Sequence, residues 1–250
     1  MKKHNLFFSS FMALLLIIMA GCGSGGSRYM EEGLDSVIKQ YRETPTFTIL
    51  LYDQNYESGK YQHQYQVLIP KTDSTIETIE TPFYQVSDRF FDAHVDHLGM
   101  ELANKENGKL TKSVAPAGYS QYVGNEKYGR WVQRDGGSFW EFYGKFAFMS
   151  SMFNMFSSPA RYGYYNDYRR NYAPTGRTYR GPNNYYSTQS YMNSNKGRTS
   201  TWNSKPSSFR NDVRSRVKRS STASRNKVSR SSSRYSSKSS SRSRGGGFGK

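Results

Sequence analysis

The sequence has 250 residues, a single cysteine, 36 Lys+Arg against 19 Asp+Glu, and 16% aromatic residues. One cysteine excludes an intramolecular disulfide framework, so any folded part has to rely on burial. The formal net charge of +17 is unevenly placed: residues 28–156 hold 13 basic against 17 acidic side chains, and residues 157–250 hold 21 basic side chains against only Asp167 and Asp212.

The N-terminus has the three parts of an export signal: Lys2 and Lys3, an apolar run from Leu6 to Met19 broken by Ser9 and Ser10, and the small pair Ala20-Gly21 before Cys22. The run is too short to span a hydrocarbon core of about 30 Å. The tetrad Met19-Ala20-Gly21-Cys22 resembles the lipobox of bacterial lipoproteins, with Met19 where the first position is usually Leu. That resemblance implies a signal peptide over residues 1–21 and an acylated Cys22 as the mature, membrane-anchored N-terminus. Palmitate-type chains hold a protein to a bilayer through about 0.8 kcal/mol per buried CH₂. Gly23 stands where retention in the inner membrane of enteric bacteria would call for Asp, so the outer membrane is favoured in a cell that has one. Residues 22–27 read as the anchored residue and a short flexible tether.

Residues 28–156 are long enough for one small domain. Leu34, Val37, Ile38 and Tyr41 follow helical spacing, and Thr44-Pro45 ends that helix. Phe47 to Tyr52 reads as a strand, and Asn55 to Lys60, with Ser58-Gly59, as a turn. Tyr61, His63, Tyr65, Val67 and Ile69 then alternate with Gln62, Gln64, Gln66 and Leu68, the pattern of a second strand. Ser87 or Asp88 caps a second helix, expected to run to about Asn104 on a stripe of Phe91, Val95, Leu98 and Leu102. Pro116 to Gly129 reads as loop or short strands, Tyr128 to Val132 as a strand, and Asp135-Gly136-Gly137 as a turn. Phe139 to Phe156, with Phe142, Tyr143, Phe146, Met149 and Phe153 at helical spacing, predicts an aromatic helix. The expected class is therefore α+β: a small antiparallel sheet with about three helices, followed by a long disordered basic tail.

That tail, residues 157–250, opens with nine tyrosines from Tyr162 to Tyr191 and continues into a Ser/Arg tract, in which 18 of the 44 residues from Ser200 to Ser243 are serine. Its aliphatic content in that tract is Val213, Val217, Val228 and Ala223, too little to offset the entropy of ordering.

Little in the sequence points to catalysis. No Gly-x-Ser-x-Gly turn and no phosphate-binding glycine loop occurs, and no cofactor is implied. His94, His97 and Glu101 fall on one flank of the expected second helix, where imidazole, imidazole and carboxylate could ligate a divalent ion; a solvated polar flank is the simpler reading. Asp92 and Asp96, on the opposite flank, read as ordinary surface acids. The stronger signal is electrostatic. Arg214, Arg216, Lys218, Arg219, Arg225, Lys227, Arg230, Arg234, Lys238, Arg242 and Arg244 form a cationic tract suited to polyanions. Export directs this tract towards lipid headgroups or anionic envelope polymers and away from nucleic acid. The expected function is a non-enzymatic envelope lipoprotein whose tail contacts such surfaces. The alternatives are a subunit that docks into a membrane complex through the aromatic helix 139–156, and, more remotely, a metal-dependent hydrolase.

Overall fold

Two long strands organise the molecule. In the computed structural model, which describes residues 32–71 and 75–233 with side chains to residue 223, β1 (Phe47–Glu57) and β2 (Lys60–Pro70) pair antiparallel along their whole length. The turn is only Ser58-Gly59, both with positive φ (50° and 78°), the handedness that a two-residue hairpin needs. β1 therefore runs further than the Asn55–Lys60 turn signal suggested. β4 (Tyr84–Val86) pairs with the first part of β2, and β3 (Ile76–Glu80) with the last part. On the other side β1 pairs with β5 (Glu101–Glu106), which pairs with β6 (Lys109–Thr111), giving the order β3-β2-β1-β5-β6, all antiparallel. A separate ribbon, β7 (Gly129–Arg134) and β8 (Gly137–Phe142), turns at Asp135-Gly136 and sets Trp131 opposite Trp140.

The first helix, α1 (Gly33–Gln40), buries Leu34 and Val37 as its spacing predicted. Ser87 caps α2 (Asp88–His94) by accepting from Phe90 N at 3.1 Å, and Glu32 accepts from Ser87 N at 3.0 Å, joining the starts of the two helices. The second helix does not run to Asn104. It ends at His94, the chain turns at Gly99 (φ 80°), and Glu101 enters β5. Leu98 and Leu102 continued the helical period by coincidence, because both are buried by a turn and a central strand. The aromatic helix 139–156 is likewise absent as such. Phe139, Trp140 and Phe142 belong to β8, and only α3 (Phe148–Met152) is α-helical. Pairing of β8 with β7 satisfies its backbone, so alternation wins over helical period there.

The expectation that disorder begins at residue 157 fails for residues 157–223. These residues form α4 (Tyr162–Asp167), α5 (Thr188–Met192), α6 (Asn195–Arg198), α7 (Thr201–Ser204) and the start of α8 (Ser207–Ser233), which makes eight α-helices among the described residues instead of about three. Tyrosine supplies the burial that aliphatic residues do not. Tyr168, Tyr179, Tyr186 and Tyr191 are buried with Trp202, Val213 and Val217 in the same core as Phe91 and Leu98. Their hydroxyls find carbonyls: Tyr179 donates to Tyr164 O at 2.8 Å, Tyr186 to Pro159 O at 3.1 Å and Tyr191 to Tyr52 O at 3.3 Å. A side chain on Gly99 would stand 2.1 Å from the Tyr191 ring, so the turn accepts that ring only as glycine. Serine also has a fold role here. Ser187, Ser194 and Ser200 cap α5, α6 and α7 through their hydroxyls. Asp53, buried on β1, accepts from Gln54 N at 2.8 Å and from Trp202 N at 3.1 Å, tying α7 to the sheet. Among the described residues no helix is long and apolar enough to cross a membrane. Cys22, the lipobox and the 22–27 tether lie outside the described residues.

Candidate functional site

α8 has almost no apolar content, yet it is docked. Val213, Val217 and Ser221, at i, i+4 and i+8, are its buried positions, and they face α2. Two polar clasps flank the valines: Arg214 Nη1 donates to Asp96 Oδ1 at 2.7 Å, and Ser221 Oγ donates to Asp92 Oδ2 at 2.6 Å. Asp92 and Asp96, which read as surface acids in the sequence, are therefore the docking points of the basic helix. The matching spacings could have shown this: two carboxylates four residues apart, Asp92 on α2 and Asp96 just past its end, and on α8 two valines four apart beside Arg214 and Ser221, which bond those acids. Arg214 is thus held in an ion pair, while Arg216, Lys218 and Arg219 are exposed. Arg225, Lys227 and Arg230 fall on α8 past the last described side chain, and Arg234, Lys238, Arg242 and Arg244 lie outside the described residues.

Beside the first turns of α8 is a groove of about 470 Å³. Arg180, Arg210 and Arg214 line it, with Asp96 as its one acid; Asn184, Ser187, Thr188, Gln189, Ser207 and Asn211 supply amides and hydroxyls, and Met192 is its one large apolar side chain. Arg210 is fixed from behind, its Nη1 donating to Asn203 O at 3.0 Å and also to Lys205 O. Arg180 has no ion pair among the described residues. The cationic tract read from the sequence includes Arg214 but not Arg180 or Arg210; the fold brings these two to it, Arg180 from the tyrosine-rich stretch and Arg210 from the first part of the Ser/Arg tract.

The three described histidines meet at one place. His63, fully buried on β2, stacks on Phe91 with ring centroids 5.1 Å apart and lies 6.5 Å from the His94 ring. His94 Nδ1 and His97 Nδ1 are 3.1 Å apart, so one ring donates and the other accepts. Burial, and then the neighbouring His97, lowers His94 to about 3; burial, and then Arg180, lowers His97 to about 4 against the pull of Asp96. His63 is held well below the ordinary range by burial and by the other two rings. Glu101 is not with them. It is fully buried on β5, where Oε1 accepts from Asn104 Nδ2 at 3.0 Å, and burial pushes its carboxyl up to about 8 in spite of hydrogen bonds from Ser120 and Asn104. The expected grouping of His94, His97 and Glu101 on one helical flank is therefore corrected, because the helix ends before Glu101. Among the described residues no group of three or more His, Cys, Asp or Glu side chains stands where it could hold a metal ion.

Glu101 has a different neighbourhood. Asn104 Nδ2 also donates to Ser120 Oγ at 3.2 Å, and Ser120 Oγ lies 3.1 Å from Tyr168 OH. Asn104, Ser120 and Tyr168 line a second cavity of about 310 Å³, together with Lys109 and Arg169. The carboxyl sits behind these groups, protonated at neutral pH. The chain matches no protein-family model, no curated protein and no solved structure.

Proposed function

We propose that the protein is a non-enzymatic, lipid-anchored protein of the bacterial cell envelope that holds an anionic polymer or membrane surface against the outer face of α8. The lipobox-like tetrad ending in Cys22 supports the anchor, and the residue after it favours the outer membrane of a cell that has two. One observation carries the second half of the reading. α8 is docked by Val213, Val217, Ser221 and Arg214, and the cations not used in docking, Arg216, Lys218 and Arg219, point to solvent. These three cations form no ion pair among the described residues, and a basic face of this kind is attracted to any dense array of phosphates or carboxylates, the attraction growing as counterions are released. Near an anionic leaflet each such cation contributes about 1 kcal/mol. Fixing the cations on a docked helix also removes the ordering cost that a flexible tract would meet on binding.

Binding of the full chain in detergent to phosphatidylglycerol-rich vesicles and to lipopolysaccharide, followed across a salt series, tests the reading. The affinity is expected to fall by several log units per log unit of salt. Changing Arg216, Lys218 and Arg219 together to Gln is expected to lower that slope by about two units, since each neutralised contact contributes roughly 0.7–0.9. Salt-independent binding, or an unchanged slope in the triple variant, overturns it.

A further inference from the structure

We infer that the groove of about 470 Å³ beside α8 is a binding site for a phosphorylated sugar, with Arg180, Arg210 and Arg214 around the phosphate. The inference rests on the envelope reading for where such a ligand is met, but it stands on different side chains from the outer face of α8.

Charge is the first argument. Three guanidinium groups and one carboxylate line the groove, and that carboxylate, Asp96, is already bonded to Arg214. The lining is left with two positive charges in excess. Like charges brought together in a concave site repel one another, more so as water is excluded. A phosphate monoester carries about −1.5 to −2 at neutral pH, which balances that excess. A carboxylate, with one charge, would leave it half uncompensated.

Geometry is the second. Arg210 and Arg214 are one turn apart on α8, and each is already fixed by one Nη1, Arg210 on the carbonyls of Asn203 and Lys205 and Arg214 on Asp96. Their other N–H donors keep the planar fork that suits two phosphate oxygens, and holding the side chains in advance lowers the cost of binding. Arg180 reaches the same groove from the segment before α5 and brings a third cation with no ion pair among the described residues.

Size and lining are the third. The groove is within the usual range for small-molecule sites and far larger than a phosphate ion. The rest of its wall is amide and hydroxyl, including Asn184, Gln189 and Asn211, which both donate and accept as sugar hydroxyls require. Met192 offers one patch for the C–H face of a sugar ring. An apolar or purely anionic ligand would leave these amides unmatched.

A soluble sugar phosphate and a phosphorylated glycolipid present the same group, so both are probes. Titration calorimetry of the full chain in detergent compares glucose 6-phosphate, lipid A, glucose and inorganic phosphate. Glucose 6-phosphate is expected to bind at least tenfold more tightly than glucose or inorganic phosphate; a further gain with lipid A identifies the glycolipid as the source, and none identifies the soluble compound. Arg180→Gln, which removes no ion pair, is expected to weaken glucose 6-phosphate at least tenfold, and Arg180→Lys to recover part of the loss. An unchanged thermal midpoint in both variants excludes misfolding. The variant with Gln at 216, 218 and 219 is expected to keep glucose 6-phosphate binding while losing vesicles, so the two readings fail separately. Equal affinity for glucose 6-phosphate and inorganic phosphate, or an Arg180→Gln variant that binds like the parent, overturns the inference.

Discussion

At the scale of single residues, the most unusual environment belongs to three histidines: His63 packs on Phe90 and Phe91, His94 on Phe90, and His97 against the His94 ring, with His63 and His97 buried and His94 half-buried. All three have folded-state values below the ordinary 6.5, with His94 at about 3 and His97 at about 4. The unfolded chain therefore takes up protons first. Stability contributed by the neutral rings is complete above pH 6.5 and is lost as pH falls from there towards 4 and 3. Each imidazole steepens the loss by up to about 1.4 kcal/mol per pH unit. Glu101, raised to about 8, works against this by holding its proton in the folded chain while the unfolded chain has lost it, so it offsets about one of the three imidazoles. Urea unfolding between pH 6.5 and pH 4.5 is expected to show the remaining fall, and His94→Gln to make it shallower by about one such increment. A stability that is flat over that range, or equal slopes in parent and variant, contradicts it. The 94/97 proximity was legible, since the two residues are three apart. His63 was not, because it comes from a strand 31 residues earlier in the chain, and no local period connects it to α2.

Among the elements, α8 shows most clearly what the sequence conveyed and what it hid. β1, β2, α1, the start of α2 and the β7–β8 turn were legible because one apolar face or one turn dipeptide dominates each. α8 hides its stripe, since two valines and a serine among arginines carry little hydrophobic signal. β5 hides for the opposite reason: Glu101, Leu102, Ala103 and Asn104 are all buried, so the strand shows no alternation. In α8 the valines carry the docking and the ion pair assists. Arg214 and Asp96 keep 34% and 49% of their side-chain surface exposed, and a pair that open contributes about 0.2–1 kcal/mol. Val217 is completely buried, so an aspartate there would place an unpaired charge in the interface at a cost of several kcal/mol. Hydrogen exchange is expected to show α8 amides opening in Val217→Asp while β1 and β2 stay protected. Asp96→Asn is expected to leave α8 almost as protected as in the parent. If Asp96→Asn releases the helix as fully as Val217→Asp, electrostatics and not burial holds it.

Across the whole molecule, net charge and folding divide the chain at different places. The charge balance changes near residue 157, which made that position look like the end of a domain. Charge governs solubility and partners and does not mark where a core ends. The core continues through Tyr168, Tyr179, Tyr186, Tyr191 and Trp202 to Val217, and the Trp202 ring lies edge-on to Phe91 with centroids 5.9 Å apart. A chain ending at residue 156 would lose Trp202 from that contact, Tyr191 from Gly99, and the Tyr186 hydroxyl that bonds Tyr119. Removing one large buried aromatic side chain costs about 3–5 kcal/mol. A domain of this kind has about 5–15 kcal/mol in total, so losing several at once exceeds what it has. Truncation after residue 156 is therefore expected to yield a chain without a cooperative thermal transition and with exposed apolar surface that binds a hydrophobic dye. Truncation after residue 223 keeps Asp53 on α7, the Tyr191 contact and the whole Val213–Val217–Ser221 stripe, and is expected to unfold in a single transition. If the shorter chain also melts cooperatively at a similar temperature, residues 157–223 are an appendage on a finished domain, and the grooves they line would have to form on a mobile layer.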